Sequence, residues 1–297
     1  MYDRIMVPTD GSDHAERAAH HAVALARAFD AELEALSVLD LQRNGGAFSA
    51  GGVSEAFYDR LESEAEDAVG AVAGLAENVA VETTVVEGRT EEVILEHAEE
   101  TGVDLVAMGT GGRRGLRRFV TGDVTEYVVR TSPVPVLTAH ATDDPPVTEY
   151  DDVLVPTDGS EAAATAIEHA LAVAGAFDAT VHALNVVDLA VVASGSDAMP
   201  DTGLVERLNE RGESDTEAVA DRVVEGDAGV DVVTEVREGS PANEILEYVE
   251  AAGIDLVAMG TRGRSGLDRL LLGSTTERVI RRCPVPVLAT RPTGSST

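Results

Sequence analysis

Short apolar runs alternate along this chain with longer stretches in which apolar residues recur every three or four positions. Runs such as Ile5-Met6-Val7 and Leu105-Val106-Ala107-Met108 have the length and β-branched content of buried strands, and the stretches between them have the spacing of amphipathic helices. The pattern predicts strands near 3–8, 32–39, 80–86, 103–108 and 134–139, with helices near 13–29, 54–76, 90–101 and 123–131. A second set follows: strands near 152–156, 180–187, 230–236, 254–259 and 285–290, with helices near 161–176, 201–225, 241–252 and 274–282. Strand and helix in strict alternation predict a parallel sheet covered by helices on both faces.

The two sets are one unit written twice. Ile5-Met6-Val7-Pro8-Thr9-Asp10-Gly11-Ser12 returns as Val153-Leu154-Val155-Pro156-Thr157-Asp158-Gly159-Ser160, 148 residues later. Asp104-Leu105-Val106-Ala107-Met108-Gly109-Thr110 returns letter for letter from Asp255 to Thr261, at an offset of 151. A period of that size is a domain rather than a solenoid repeat. The fold class is therefore α/β, as two tandem doubly wound parallel five-stranded sheets of Rossmann-like form. The first domain is expected over 1–140 and the second over 151–292, with a polar, proline-bearing linker over 141–150 and a tail over 293–297. In such sheets ligands bind beyond the carboxyl ends of the strands, where the strand order reverses.

Composition narrows the chemistry. The chain of 297 residues has 54 Asp and Glu against 22 basic residues, all of them arginine, for a formal net charge of -32. Without lysine there is no P-loop lysine, no Schiff base and no kinase strand lysine. So acidic a field disfavours nucleic acid and anionic membranes, and no apolar run reaches the ~18 residues of a membrane helix. Met1-Tyr2-Asp3-Arg4 has no leader pattern, so a cytoplasmic protein is expected. Excess carboxylate without lysine is also what a protein of a halophile would carry. Aromatic residues are only 3%, so the cores are aliphatic, and Cys283, the single cysteine, reads as a small packing residue.

Three segments of each unit fall at the carboxyl edge. Pro156-Thr157-Asp158, with Asp10 as the earlier counterpart, can accept from a ribose hydroxyl or an adenine amine; the same residues also read as a plain turn and helix cap. Val186, and Val38 before it, sit where a main chain can meet an adenine edge. Gly260-Thr261-Arg262-Gly263, with Gly273-Ser274 after nine intervening residues, combines glycines that admit a phosphate with Ser274 at a helix start, and Arg262 and Arg264 add positive charge. Ser274 with Glu277 equally reads as a capping box.

On these residues the chain resembles a tandem universal stress protein over nearly its whole length. Nucleotide-binding members of that family carry Gly-x2-Gly-x9-Gly-Ser/Thr after the fourth strand and an aspartate after the first. The second unit matches at Gly260, Gly263, Gly273, Ser274 and Asp158. The resemblance implies that Asp158 and the Val186 main chain hold adenosine and that Met259 and Gly260 lie against the ribose. Gly263, Gly273 and Ser274, with Thr275 and Thr276 alongside, would then take the phosphates of ATP or another adenine nucleotide, with Mg²⁺ as a companion ion. The first unit keeps Gly109, Gly112 and Gly122 but has Asp123 in place of the serine, and a carboxylate there opposes a phosphate. Weaker or absent nucleotide binding is expected in that half, although Arg113, Arg114, Arg117 and Arg118 lie nearby. The resemblance also implies pairing through the last strands, as an internal pseudo-dimer and as a homodimer, and an unidentified protein partner. No catalytic motif or metal-ligand spacing is found. The alternatives are a scaffold that binds no nucleotide and a slow hydrolase of ATP or an AMP ligand.

Overall fold

The computed structural model describes residues 1–44, 55–111, 122–142, 145, 149–188, 202–226, 229–263 and 272–292. The chain divides into two compact units, Met1–Thr148 and Glu149–Thr297.

The first unit runs β1 (Arg4–Pro8), α1 (Asp13–Phe29), β2 (Glu32–Leu39), α2 (Leu41–Asn44), α3 (Glu55–Leu75), β3 (Val81–Glu87), α4 (Thr90–Thr101), β4 (Leu105–Gly109), α5 (Asp123–Thr131) and β5 (Val136–Ala139). The second runs β6 (Asp152–Pro156), α6 (Glu161–Phe177), β7 (Thr180–Asp188), α7 (Thr202–Glu225), β8 (Val232–Gly239), α8 (Pro241–Ala252), β9 (Leu256–Gly260), α9 (Ser274–Arg282) and β10 (Val287–Thr290). Within the first unit the strands lie in the order β3-β2-β1-β4-β5, and within the second in the order β8-β7-β6-β9-β10. Strand β1 pairs in parallel with β2 and β4, and β6 with β7 and β9. The order reverses between β1 and β4, and between β6 and β9, so each unit opens its crevice at the ends of those two strands.

The cores follow from the pattern. Central strands are buried along most of their length because helices cover both faces. Helix α1 buries Ala15, Ala18, Ala19, Ala22 and Ala26 at helical spacing, and small residues let it lie close on β1 and β4. Its caps repeat in α6: Ser12 and Ser160 close the amino ends, and Asp30 and Asp178 close the carboxyl ends in the left-handed region, which aspartate tolerates. Few aromatics are present, yet one edge-on pair occurs in each unit, Tyr2 with Phe29 and Tyr150 with Phe177. Burial raises the pKa of both tyrosines, and it pushes that of the Cys283 thiol up to about 12, as befits a packing residue.

One buried position separates the units. In the first, Glu34 on β2 is 1% exposed, accepts from Arg4 Nε at 3.1 Å and pairs with His97 Nε2 on α4. In the second, the matching positions hold His182, which lies 2.8 Å from Asp152 Oδ1 and 2.8 Å from the hydroxyl of Tyr248 on α8. Arg237 stacks 4.8 Å above the Tyr248 ring. Each set is satisfied internally, with opposite placement of charge.

Strand β8 continues to Gly239, past the expected end at 236, because the polar residues Arg237 and Glu238 still pair with Val186 and Val187. Strand β5 begins at Val136 rather than 134: Pro135 has no N–H to give and only its carbonyl joins, accepting from Val106.

Candidate functional site

In the second unit β6 ends at Pro156 and the chain turns on side-chain oxygens. Thr157 Oγ1 accepts from Gly159 N–H at 3.2 Å, and Asp158 Oδ1 accepts from Ser160 N–H at 3.0 Å. Ser160 Oγ then accepts from Ala163 N–H and caps α6. The turn-and-cap reading of these residues is therefore correct. It engages one carboxylate oxygen of Asp158, while the other faces the glycine loop: a Cβ built on Gly263 would stand 2.7 Å from Asp158 Oδ2. The structure thus brings Asp158 and Gly263, far apart in sequence, into contact.

The loop is anchored at both ends. Gly260 presses on the first turn of α6, where an added Cβ would meet Ala162 at 2.8 Å. Thr261 N–H donates to Thr290 O at 2.8 Å, and Gly273 N–H donates back to Thr261 O at 2.9 Å. Thr276 is 3% exposed and donates its hydroxyl proton to Gly260 O at 2.8 Å. With that proton committed, the Thr276 hydroxyl braces the loop. Met259 is buried within β9, so Gly260 is the residue of that strand nearest the opening. Thr275 is half-buried behind Ser274, and Val186 is partly exposed at the end of β7.

The capping box does not form. Gly273, extended at φ -64° and ψ 139°, is the N-cap of α9 with no side-chain cap, and Ser274 is the first helical residue and exposed. Glu277 N–H is the first to close a bond within the helix, onto Gly273 O. Among the described residues the main-chain N–H groups of Ser274, Thr275 and Thr276 have no acceptor, as a helix start leaves them. With Arg262 beside them, these donors form an arrangement suited to an anion. Arg264 lies outside the described residues, and so do Gly112 and the arginines from 113 to 118.

The first unit repeats the frame with other side chains. Asp10 Oδ1 accepts from Ser12 N–H at 3.1 Å, Gly122 N–H donates to Thr110 O at 2.7 Å, and Thr125 donates to Gly109 O at 2.7 Å. Gly122 is the N-cap of α5, so Asp123, like Ser274, is the first helical residue and not the cap. Where the second unit has Ala162, the first has His14, whose ring lies 3.2 Å from a Cβ built on Gly111. His14 Nδ1 accepts from Ala141 N–H at 2.9 Å, which puts its proton on Nε2. Burial lowers the His14 pKa, partly countered by Asp13 and Asp10. His140 stands where the second unit has Arg291, its Nδ1 2.6 Å from Thr110 Oγ1. Imidazoles therefore border the first glycine loop where the second unit has Ala162 and Arg291, and Gly111 stands in place of Arg262.

Two contributors were not singled out from sequence. Asn185 is 7% exposed and its side-chain amide donates to Thr157 O at 2.8 Å. Its signal was Gly212, an isolated glycine inside the predicted long helix, which marks a close approach. The exchange of His14 for Ala162 was visible at the offset of 148 but carries no motif. Among the described residues no group of three or more His, Cys, Asp or Glu side chains is placed to hold a metal ion, and no helix is long and apolar enough to cross a membrane.

The geometry agrees with what the chain is similar to. The model of the universal stress protein family matches residues 1–140 and again 149–291. A universal stress protein of Methanocaldococcus jannaschii is 41% identical over 146 residues, covering 48% of this chain and 82% of the relative. A putative universal stress protein of Staphylococcus haemolyticus is 33% identical over 149 residues, 48% of this chain and 88% of its own. The crystal structure of a universal stress protein from Archaeoglobus fulgidus superposes over 97% of this chain and 96% of its own, with TM-score 0.70 and 26% identity. A family model matched twice, over units with the same five-strand order and the same glycine-loop frame, shows that the chain belongs to the universal stress protein family as a tandem of two such domains.

Proposed function

We propose that the second domain binds an adenine nucleotide, ATP foremost, and that the protein serves stress response or signalling through the conformation or assembly which the nucleotide stabilises. The observation that carries this reading is the contact of Gly263 with Asp158 Oδ2, because it closes the aspartate turn and the glycine loop around one opening. Asp158 supplies an acceptor for ribose or adenine, and Pro156 and Thr157 set its turn. The start of α9, with Ser274 exposed and its first amides unengaged among the described residues, supplies donors for phosphate, and Arg262 adds positive charge. Any Mg²⁺ would enter on the phosphates, since no cage of protein ligands awaits it among the described residues. Binding energy would shift the population of the protein's conformations or assembly states toward those that hold the nucleotide best.

The test is mass spectrometry of nucleotide released from the purified protein, with calorimetric titration of ATP in molar KCl, on the wild type and on Gly263→Val. The wild type is expected to carry or bind adenine nucleotide. The variant is expected to lose it, because the valine side chain would displace the Asp158 carboxylate. No nucleotide and no titration signal from the wild type would overturn the reading.

A further inference from the structure

We infer that Asn185 is a positioning residue of the second domain's site, acting through the Thr157 carbonyl; the inference rests on the nucleotide-binding reading above. Parallel strands share a ladder in which a residue of one strand bonds two alternate residues of its neighbour. Between β6 and β7 the ladder reaches Thr157, whose N–H donates to Leu184 O at 2.8 Å. The next rung would run from Val186 N–H to Thr157 O. Among the described residues that bond is absent, and the Thr157 carbonyl accepts from Asn185 Nδ2 at 2.8 Å instead. That side chain satisfies a strand-end carbonyl immediately before Asp158, fixing the turn that aims Oδ2 at Gly263.

The neighbouring helix is fitted to this side chain. A Cβ on Gly212 of α7 would stand 2.7 Å from Asn185 Oδ1, so no larger residue leaves the amide in place. In the first domain the same two positions are Ser37 and Leu61. Leu61 packs with Leu39 and Ala65 into a small apolar cluster, Ser37 is 4% exposed, and among the described residues no side chain donates to the Thr9 carbonyl. Small over large in the first domain and large over small in the second fill the space equally. Only the second arrangement delivers an amide to the aspartate turn.

The test separates packing from positioning. Asn185→Ser is expected to weaken ATP binding by about tenfold, the equivalent of one buried hydrogen bond, and to lower the thermal midpoint by opening a void against Gly212. The double variant Asn185→Ser/Gly212→Leu installs the first domain's pair; it is expected to recover the midpoint and not the affinity. If the double variant recovers both, or if Asn185→Ser binds ATP like the wild type, Asn185 only fills space and the inference is overturned. If the wild type itself binds no ATP, the nucleotide reading fails, and this inference falls with it.

Discussion

The two glycine loops differ in charge far more than in frame. Strands β4 and β9 are identical from Leu to Gly, both loops are tied by the same main-chain bonds, and both helices after them start on an uncapped glycine. Around that common frame the second domain places Ala162, Arg262, Ser274 and Arg291, and the first places His14, Gly111, Asp123 and His140. Backbone geometry alone therefore does not decide what a loop of this kind accepts. The side chains at its border set the sign of the field, and a duplicated fold lets one copy change that field while the other keeps it.

The largest expected effect tests whether the buried polar sets are as unit-specific as they look. Glu34→His would place an imidazole beside Arg4 and His97, removing the carboxylate that His97 faces and leaving Arg4 with Glu82 as its remaining carboxylate partner. Loss of one partner of a buried charge pair costs roughly 3–5 kcal/mol, and the first domain should lose about that much in urea unfolding. The triple change Arg4→Asp/Glu34→His/His97→Tyr installs the second domain's Asp-His-Tyr hydrogen-bond chain, without the stacked arginine, and should recover most of the loss. Failure of the triple variant to recover any stability would show that the sets are held by different surroundings.

A pH comparison comes next. His21 on α1 and His169 on α6 occupy matching positions, and burial lowers them to about 3 and about 4 from 6.5. Each is neutral in the fold and becomes charged once unfolded below pH 6.5. The unfolded chain then binds the extra proton, so stability is full above pH 6.5 and declines as pH falls toward the folded values. At ~1.4 kcal/mol per pH unit, each histidine should cost about 2 kcal/mol by pH 5. Urea midpoints of His21→Asn/His169→Asn should fall less between pH 7 and 5 than those of the wild type. Parallel declines would remove these histidines from the acid response.

The third is Asp123→Ser, which converts the first domain's helix start to the second's. A unit charge facing a phosphate at about 4 Å costs ~1 kcal/mol when solvated, so ATP affinity of the first domain should rise about fivefold, read as a second calorimetric site. No change would shift the explanation to His14 and to the missing Arg262.

These comparisons also locate what the sequence could and could not convey. Strand order and core were legible because apolar runs and a letter-for-letter repeat are one-dimensional signals. The glycine spacing was legible for the same reason. The Asp158–Gly263 contact was only implied, since it depends on the order of β6 and β9 in the sheet. Sequence left the role of Ser274 open between cap and first helical residue because Ser-x-x-Glu looks the same at the cap and one residue later; the extended backbone of Gly273 decides between them. The bond from the Thr276 hydroxyl to Gly260 O was not legible, because that inward direction exists only once β9 lies beneath α9.

The smallest effect separates two caps that the sequence writes alike. Ser12 and Ser160 both accept from a main-chain N–H three residues on, at 3.3 Å in each case, and replacement by alanine should cost about 1 kcal/mol at either site. Ser12 has a second contact: its Oγ lies 3.4 Å from Gly111 O, at the start of the first glycine loop. A weak bond of this kind adds roughly 0.5 kcal/mol. Ser12→Ala should therefore cost slightly more than Ser160→Ala and should speed amide hydrogen exchange in the residues after Gly111, whereas Ser160→Ala should change exchange only in the first turn of α6. Equal losses with unchanged exchange near Gly111 would mean that the first loop is held by His14 and Thr110 alone. The first loop would then owe its difference from the second to its imidazole border and not to its cap.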